Sequence, residues 1–106
     1  MQPTDILKFW FAGSERDASA AAARMGFWFS ATADTDASIK TQFGEAIDRA
    51  AKGDCADWAA TPSGCLALIL ILDQFPRNVY RGTPAAFTHD ALALGLTVIG
   101  QRMGFL

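Results

Sequence analysis

The stretch Cys65-Leu66-Ala67-Leu68-Ile69-Leu70-Ile71-Leu72-Asp73-Gln74-Phe75-Pro76 decides the fold of this chain. Cys65 to Leu72 is the longest unbroken apolar run in the sequence. A run of that length suits a buried strand or a buried helix, and periodicity alone does not separate the two. The surroundings do. No second strand-like run exists to pair with it, and a lone strand leaves its ladder hydrogen bonds unmade. The reading is therefore a buried helix from Cys65 to Phe75. Pro76 disfavours the α region at Phe75 and is expected to stop the element. The run is far shorter than the ~20 apolar residues of a membrane span.

Upstream, Thr61-Pro62-Ser63-Gly64 reads as a turn. Before it, Ile39, Phe43, Ala46, Ile47 and Ala50 fall at i, i+4, i+7, i+8 spacing, the stripe of an amphipathic helix. Lys40, Glu45, Asp48, Arg49 and Lys52 mark its wet face. Asp34, Thr35 and Asp36 place acids and a cap where the helix dipole favours negative charge. Gly53 suits a left-handed C′ residue. A first short helix, capped by Thr4 or Asp5, carries Ile6, Leu7, Phe9, Trp10 and Phe11 and ends at Gly13-Ser14. Glu15 to Gly26 is Ala-rich and polar and reads as loop or helix. Phe27-Trp28-Phe29 repeats the Phe-Trp-Phe triplet of residues 9–11, and both triplets read as core volume.

Downstream, Thr83-Pro84 offers a capping hydroxyl and a proline at the first helical position. The last helix is expected from Pro84 to about Gln101. Phe87, Ala91, Leu94 and Val98 form one apolar stripe, and Leu92, Leu96 and Ile99 form another. A helix apolar on so many sides needs a cover on its far face. A second copy of the chain, or a following half of the domain, is the expected cover.

Composition agrees with a small helical domain. The chain has 106 residues, 51% hydrophobic and 19% charged, with a formal net charge of −2. That length carries one domain. The apolar share excludes a disordered chain, and the acidic balance offers no basic footprint for nucleic acid or anionic lipid. Cys55 and Cys65 do not make a disulfide scaffold. Met1 to Asp5 has no cationic leader pattern, so a reduced, cytoplasmic protein is expected.

Most catalytic templates are absent: no phosphate loop, no His-Glu-x-x-His, no Cys-x-x-Cys, no Gly-x-Ser-x-Gly. No cofactor is implied. Cys55, Cys65 and His89, the single histidine, lack the spacing of a zinc site. Cys65 with His89 as a dyad is outweighed by a packing role for the thiol. The dense polar stretch is Asp73 to Gly82, where Asp73, Gln74, Arg77, Asn78, Tyr80 and Arg81 follow the greasiest run. Asp73 lies one turn past Ile69 and Leu70, near the core, and its burial requires a partner. Arg77 and Arg81 are the candidates, because a guanidinium fork satisfies both carboxylate oxygens. Three readings follow. In the first, Asp73 and an arginine lock two helices together while Gln74 and Asn78 cap backbone groups. In the second, Arg77 and Arg81 hold a small anion oriented by Tyr80 and Asn78. In the third, Asp73 is a general base assisted by His89 or Tyr80.

The string from Leu66 to Phe87, with Asp-Gln-Phe-Pro-Arg-Asn at 73–78, resembles the signature of the bacterial family called domain of unknown function 924. Ile6-Leu7-Lys8-Phe9-Trp10-Phe11, Trp28-Phe29, Phe43-Gly44, Gly53 with Trp58, and Asp90-Ala91-Leu92-Ala93-Leu94 resemble it too. The elements read above are expected to form an all-α domain of four to five helices in antiparallel hairpins, and the resemblance implies a tetratricopeptide-like, all-helical protein. It implies no reaction and no catalytic residues. Its strongest polar positions fall on Asp73, Gln74, Arg77, Asn78, Arg81 and Asp90. It also implies that members continue into a second half with a Phe-x-Tyr-x-Pro core and a His-Ser-Glu-Asp string, so this chain is expected to match the N-terminal half. The leading expectation is a helical interaction or small-ligand-binding module centred on Asp73–Arg81. The alternatives are a hydrolase-like enzyme needing the second half and a structural remnant.

Overall fold

The structure is a computed structural model, described here for residues 1–11 and 33–105. The expected end of the first helix, the Glu15–Gly26 segment and the Phe27-Trp28-Phe29 triplet lie outside the described residues. In chain order the helices are α1 (Pro3–Phe11), α2 (Ala33–Ala51), α3 (Pro62–Leu72), α4 (Gln74–Val79) and α5 (Asp90–Arg102). Short 3-10 turns at Ala56–Ala60 and Pro84–Phe87 precede α3 and α5. No strand occurs among the described residues, so the fold is all-α, as expected. No helix among them is long and apolar enough to cross a membrane.

Local chemistry explains most boundaries. At the start of α1 the Gln2 backbone N–H donates to Asp5 Oδ2 at 2.8 Å, so the acid acts from inside the first turn instead of capping from outside. Helix α2 has Asp34 and Asp36 in its first turn. It buries Ile39, Phe43, Ala46, Ile47 and Ala50, the stripe read from the sequence. It closes with the paired bonds Gly53 N–H to Ala50 O at 3.1 Å and Asp54 N–H to Arg49 O at 3.0 Å. That Schellman geometry needs a left-handed residue, and Gly53 supplies φ +90°.

Thr61-Pro62-Ser63-Gly64 is not the separate turn expected. Thr61 is the N-cap of α3, its Oγ1 accepting from Gly64 N–H at 3.0 Å, with Pro62 at the first helical position. The four residues that look like a turn are a capped helix start. Gly64 is there for a steric reason as well. A side chain at this position would collide with the Trp58 carbonyl, which belongs to the preceding 3-10 turn.

Helix α3 is the centre of the molecule. It packs against α1, α2, α5 and the Ala56–Ala60 turn. Cys65, Ala67, Leu68, Leu70, Ile71 and Leu72 are buried. Its apolar character on all sides matches its contacts on all sides. The helix does not run to Phe75, and Pro76 does not stop it. The break falls at Asp73 (φ −109°, ψ −67°). Pro76 instead lies in the first turn of α4, where its missing N–H would have no helical partner in any case.

The last helix differs from expectation in the same way. Pro84–Phe87 is a 3-10 turn, and the α-helix begins only at Asp90. Thr83 does not cap it: its Oγ1 donates back to Tyr80 O at 2.7 Å. Helix α5 packs on α3 through Ala93 and Gly100, both buried, with Leu96 half-buried. It ends in a second Schellman pair at Gly104, with Gly104 N–H to Gln101 O and Phe105 N–H to Gly100 O.

Two glycine substitutions separate close approach from mere propensity. Gly64→Ala is expected to destabilise by about 2 kcal/mol, because backbone must shift. Gly44→Ala, where the nearest atom is Lys40 Cγ at 3.9 Å, is expected to stabilise by about 0.5–1 kcal/mol. Urea unfolding monitored by circular dichroism measures both.

Candidate functional site

The polar residues after α3 are aimed by the break at Asp73 and the short helix α4. Phe75 is fully buried, its ring centroid 5.2 Å from Phe43, 5.8 Å from Trp10 and 6.0 Å from Phe9. With that side chain anchored inward, Arg77, Asn78 and Arg81 emerge toward α2 on one side and α5 on the other.

The six residues singled out from the sequence do not form one site. Five of them divide between two clusters. In the first, Asp73 accepts from Gln74 Nε2 at 2.7 Å and from Arg77 Nε and Nη2 at 3.2 and 3.0 Å. Arg77 Nη2 also reaches Asp90 Oδ2 at 3.3 Å. The Arg77 guanidinium lies 4.9 Å from the centroid of the Phe87 ring, a cation–π contact. Arg77 thus joins the end of α3, α4, the second 3-10 turn and the first turn of α5. A pocket of about 320 Å³ adjoins it, lined by Ile69, Asp73, Arg77, Asp90, Leu94 and Thr97 among others.

In the second cluster, Arg81 does not pair with Asp73. Its Nε and Nη2 donate to Asp36 Oδ2 and Oδ1 at 2.8 and 3.1 Å, a bidentate fork. Asn78, buried, donates to the same Oδ1 at 3.1 Å. Asn78 and Gln74 therefore satisfy carboxylates; they do not cap the backbone. Tyr80 is in neither cluster: its main-chain N–H donates to Pro76 O and its carbonyl accepts from Thr83.

Asp36 is the residue that sequence reasoning missed. It reads as an acid at a helix start, which it also is. The overlooked signal is register: Asp36, Ile39 and Phe43 share one face of α2, so the carboxylate continues the buried stripe. Its side chain is only 17% exposed, against 55% for Arg81. The Arg81 hydrogen bonds hold its carboxyl below the usual carboxylate range, against the opposing effect of desolvation. Asp36 in turn raises Arg81.

The remaining candidates are placed as follows. The Cys65 thiol is buried, donates to Leu96 O at 3.6 Å and is pushed up by desolvation. Its partner is thus a main-chain carbonyl, not the His89 ring. His89 occupies the N-cap position of α5 without a side-chain cap bond. Trp10 lies in the core and Trp58 packs against it. Among the described residues no group of three or more His, Cys, Asp or Glu is placed to hold a metal ion.

Fold and site together define an all-helical protein in which aspartates from separate helices are paired with arginines that follow a central apolar helix. The model of a family of bacterial proteins of unknown function, DUF924, matches residues 6–105. The chain belongs to that family, as the Asp73–Asn78 string implied. A solved structure of a protein of unknown function from Agrobacterium tumefaciens is 33% identical, with a TM-score of 0.80. The match covers 97% of this chain and 53% of that one, so the chain spans about half the length of that relative. No curated protein matches the chain.

The Asp36 cluster predicts a pH response. Folding favours the ionised carboxylate, so its contribution is fully present above the unfolded pKa of about 3.9 and is lost as pH falls through the lower folded value. Asp36→Asn is expected to lower the melting temperature at pH 7 and to flatten the acid limb of stability below about pH 4. Thermal melts of both proteins between neutral pH and strong acid check this.

Proposed function

We propose that this chain is a helical interaction module, held in shape by the two aspartate–arginine clusters, whose working surface is the outward half of α5. One observation carries the reading. Leu92, Leu94, Val98, Ile99 and Met103 of α5 and its C-cap are 38–66% exposed, and Phe87 in the 3-10 turn before it is 54% exposed. Scattered exposed leucines are ordinary, but six large apolar side chains on one element and its flank are the mark of a contact surface. The longer Agrobacterium relative supports the reading, because in it a matching fold is joined to further polypeptide.

The small-anion reading draws less support from the same geometry. Nε and Nη2 of Arg77 and Arg81 are already committed to carboxylates. The five charged members, Asp36, Asp73, Asp90, Arg77 and Arg81, carry three negative charges against two positive, and the surplus negative charge opposes an anion. The hydrolase-like reading, whose site would need a second half, draws no support from the Cys65 thiol, which is buried and bonded to a main-chain carbonyl. A lock is the role these groups support best.

In dilute protein, the apolar dye anilinonaphthalene sulfonate is expected to bind the native chain. Leu94→Lys combined with Ile99→Lys should reduce its emission several-fold while leaving stability within about 1 kcal/mol. Unchanged dye emission in that variant would remove the basis of the reading. Inorganic phosphate is expected to raise the melting temperature no more than chloride at matched ionic strength. A phosphate-specific rise that disappears in Arg77→Gln would restore the anion site.

A further inference from the structure

We infer that α5 is a latched strap: the Arg77 guanidinium fastens it to the central helix, and its release uncovers one side of α3 while the rest of the described fold stays together. The inference concerns the inward side of α5 and does not depend on what meets its outward face. It begins with how little α5 gives to the core. Among the described residues, Ala93 is its one buried member of the main apolar cluster. The large members, Ile6, Trp10, Ile39, Phe43, Ile71 and Phe75, come from the other four helices. The packed rings of Phe9, Trp10, Phe43 and Phe75 are likewise assembled without it. Withdrawal of α5 leaves that core in place, the condition for a local opening distinct from global unfolding.

The seam between α3 and α5 is also open along both flanks. On one flank a slot of about 300 Å³ lies between Leu68 and Leu72 of α3 and Leu92 and Leu96 of α5. On the other flank a slot of about 320 Å³ lies between Ile69 and Asp73 of α3 and Ala93, Leu94 and Thr97 of α5. Protein interiors leave few voids larger than a water molecule, and atoms lining a void lose the contacts on that side. Two slots along one seam make it the line at which this fold parts.

Two side-chain groups bond across to α5 among the described residues. The Cys65 thiol, a weak donor, reaches Leu96 O at 3.6 Å. The other is Arg77. Its Nη2 meets Asp73 at 3.0 Å on the stationary side and Asp90 at 3.3 Å on the strap. Its guanidinium also lies 4.9 Å from the centroid of Phe87, in the 3-10 turn that leads into α5. Arg81 has the opposite part. It bonds Asp36 and so holds the end of α4 to α2, within the stationary portion. Between Arg81 and His89 only Ala86 is buried. Arg77 is 42% exposed, and an ion pair so open to water is readily exchanged. That suits a latch, which must bias the closed state and still release.

Cys65 reports the opening. It is 0% exposed and lies against Leu96 of α5. The test follows its reaction with dithionitrobenzoate in the Cys55→Ser chain, where Cys65 is the single thiol. The expected labelling is slow and nearly independent of urea well below the unfolding midpoint, because release of one helix exposes little surface. Arg77→Gln should speed this labelling about fivefold, the effect of one exposed ion pair. Phe87→Ala should speed it about twofold, and Arg81→Gln should leave the urea-independent rate unchanged. A rate that climbs with urea as steeply as global unfolding, from the lowest concentrations, overturns the strap. Cys65 then meets reagent only in the unfolded chain. A urea-independent rate that Arg77→Gln does not change overturns the latch, and if that variant does not fold, Phe87→Ala decides in its place. Equal acceleration by Arg81→Gln overturns the latch as well.

Discussion

The arrangement of this protein depends on one aromatic side chain reaching inward past a helix break. Phe75 lies fully buried against Phe9 and Trp10 of α1 and Phe43 of α2, three residues after the central helix α3 ends at Leu72. It reaches them because the chain changes direction at Asp73. Aromatic burial is among the largest single contributions available to a small core. Once Phe75 is anchored, α4 has one orientation, and the side chains at 77, 78 and 81 have no choice but to face α2 and α5. The core and the polar clusters are thus two consequences of one bend.

The polar clusters have a different physical role from the core. Arg77 and Arg81 are 42% and 55% exposed, and ion pairs so open to water contribute on the order of 1 kcal/mol or less each. What they supply is direction. The Arg81–Asp36 fork ties the segment after α4 to the start of α2, 45 residues earlier. Arg77 ties the end of α3 to the start of α5. Each guanidinium accepts a narrow set of approach angles, so a modest energy fixes how the helical layers are set. Asn78 is buried with Asp36 as its acceptor, which makes that contact harder to exchange than its arginine neighbour.

Helix α5 closes the described fold on one side only. Its buried residues are small, Ala93 and Gly100, Leu96 is half-buried, and Leu92, Leu94, Val98 and Ile99 are exposed. An ordinary surface helix turns its large apolar residues inward. The reversal explains why a chain 51% hydrophobic with charges in only 19% of positions leaves so much apolar surface uncovered. It also agrees with the relation to a relative of about twice the length.

Much of this architecture is legible in the sequence itself. The periodicity of Ile39, Phe43, Ile47 and Ala50, the left-handed Gly53, the helical reading of Cys65–Leu72 and the family string at Asp73–Asn78 all depend on neighbours within a turn or two. Such signals survive in a linear sequence because a helix is built from local bonds. The features that sequence misplaces are of another kind. The break falls at Asp73 instead of Pro76, because a proline in a first helical turn costs nothing and the direction of the chain is decided by where Phe75 can be buried. Thr61–Gly64 is a capped start, because Gly64 answers to the Trp58 carbonyl of the preceding turn. Arg81 meets Asp36 instead of the nearer Asp73, since a carboxylate on the buried side of α2 needs a partner and α4 aims the arginine there. The residues alone specify which groups must be buried or paired; which of several eligible partners each one meets is decided only when the helices pack.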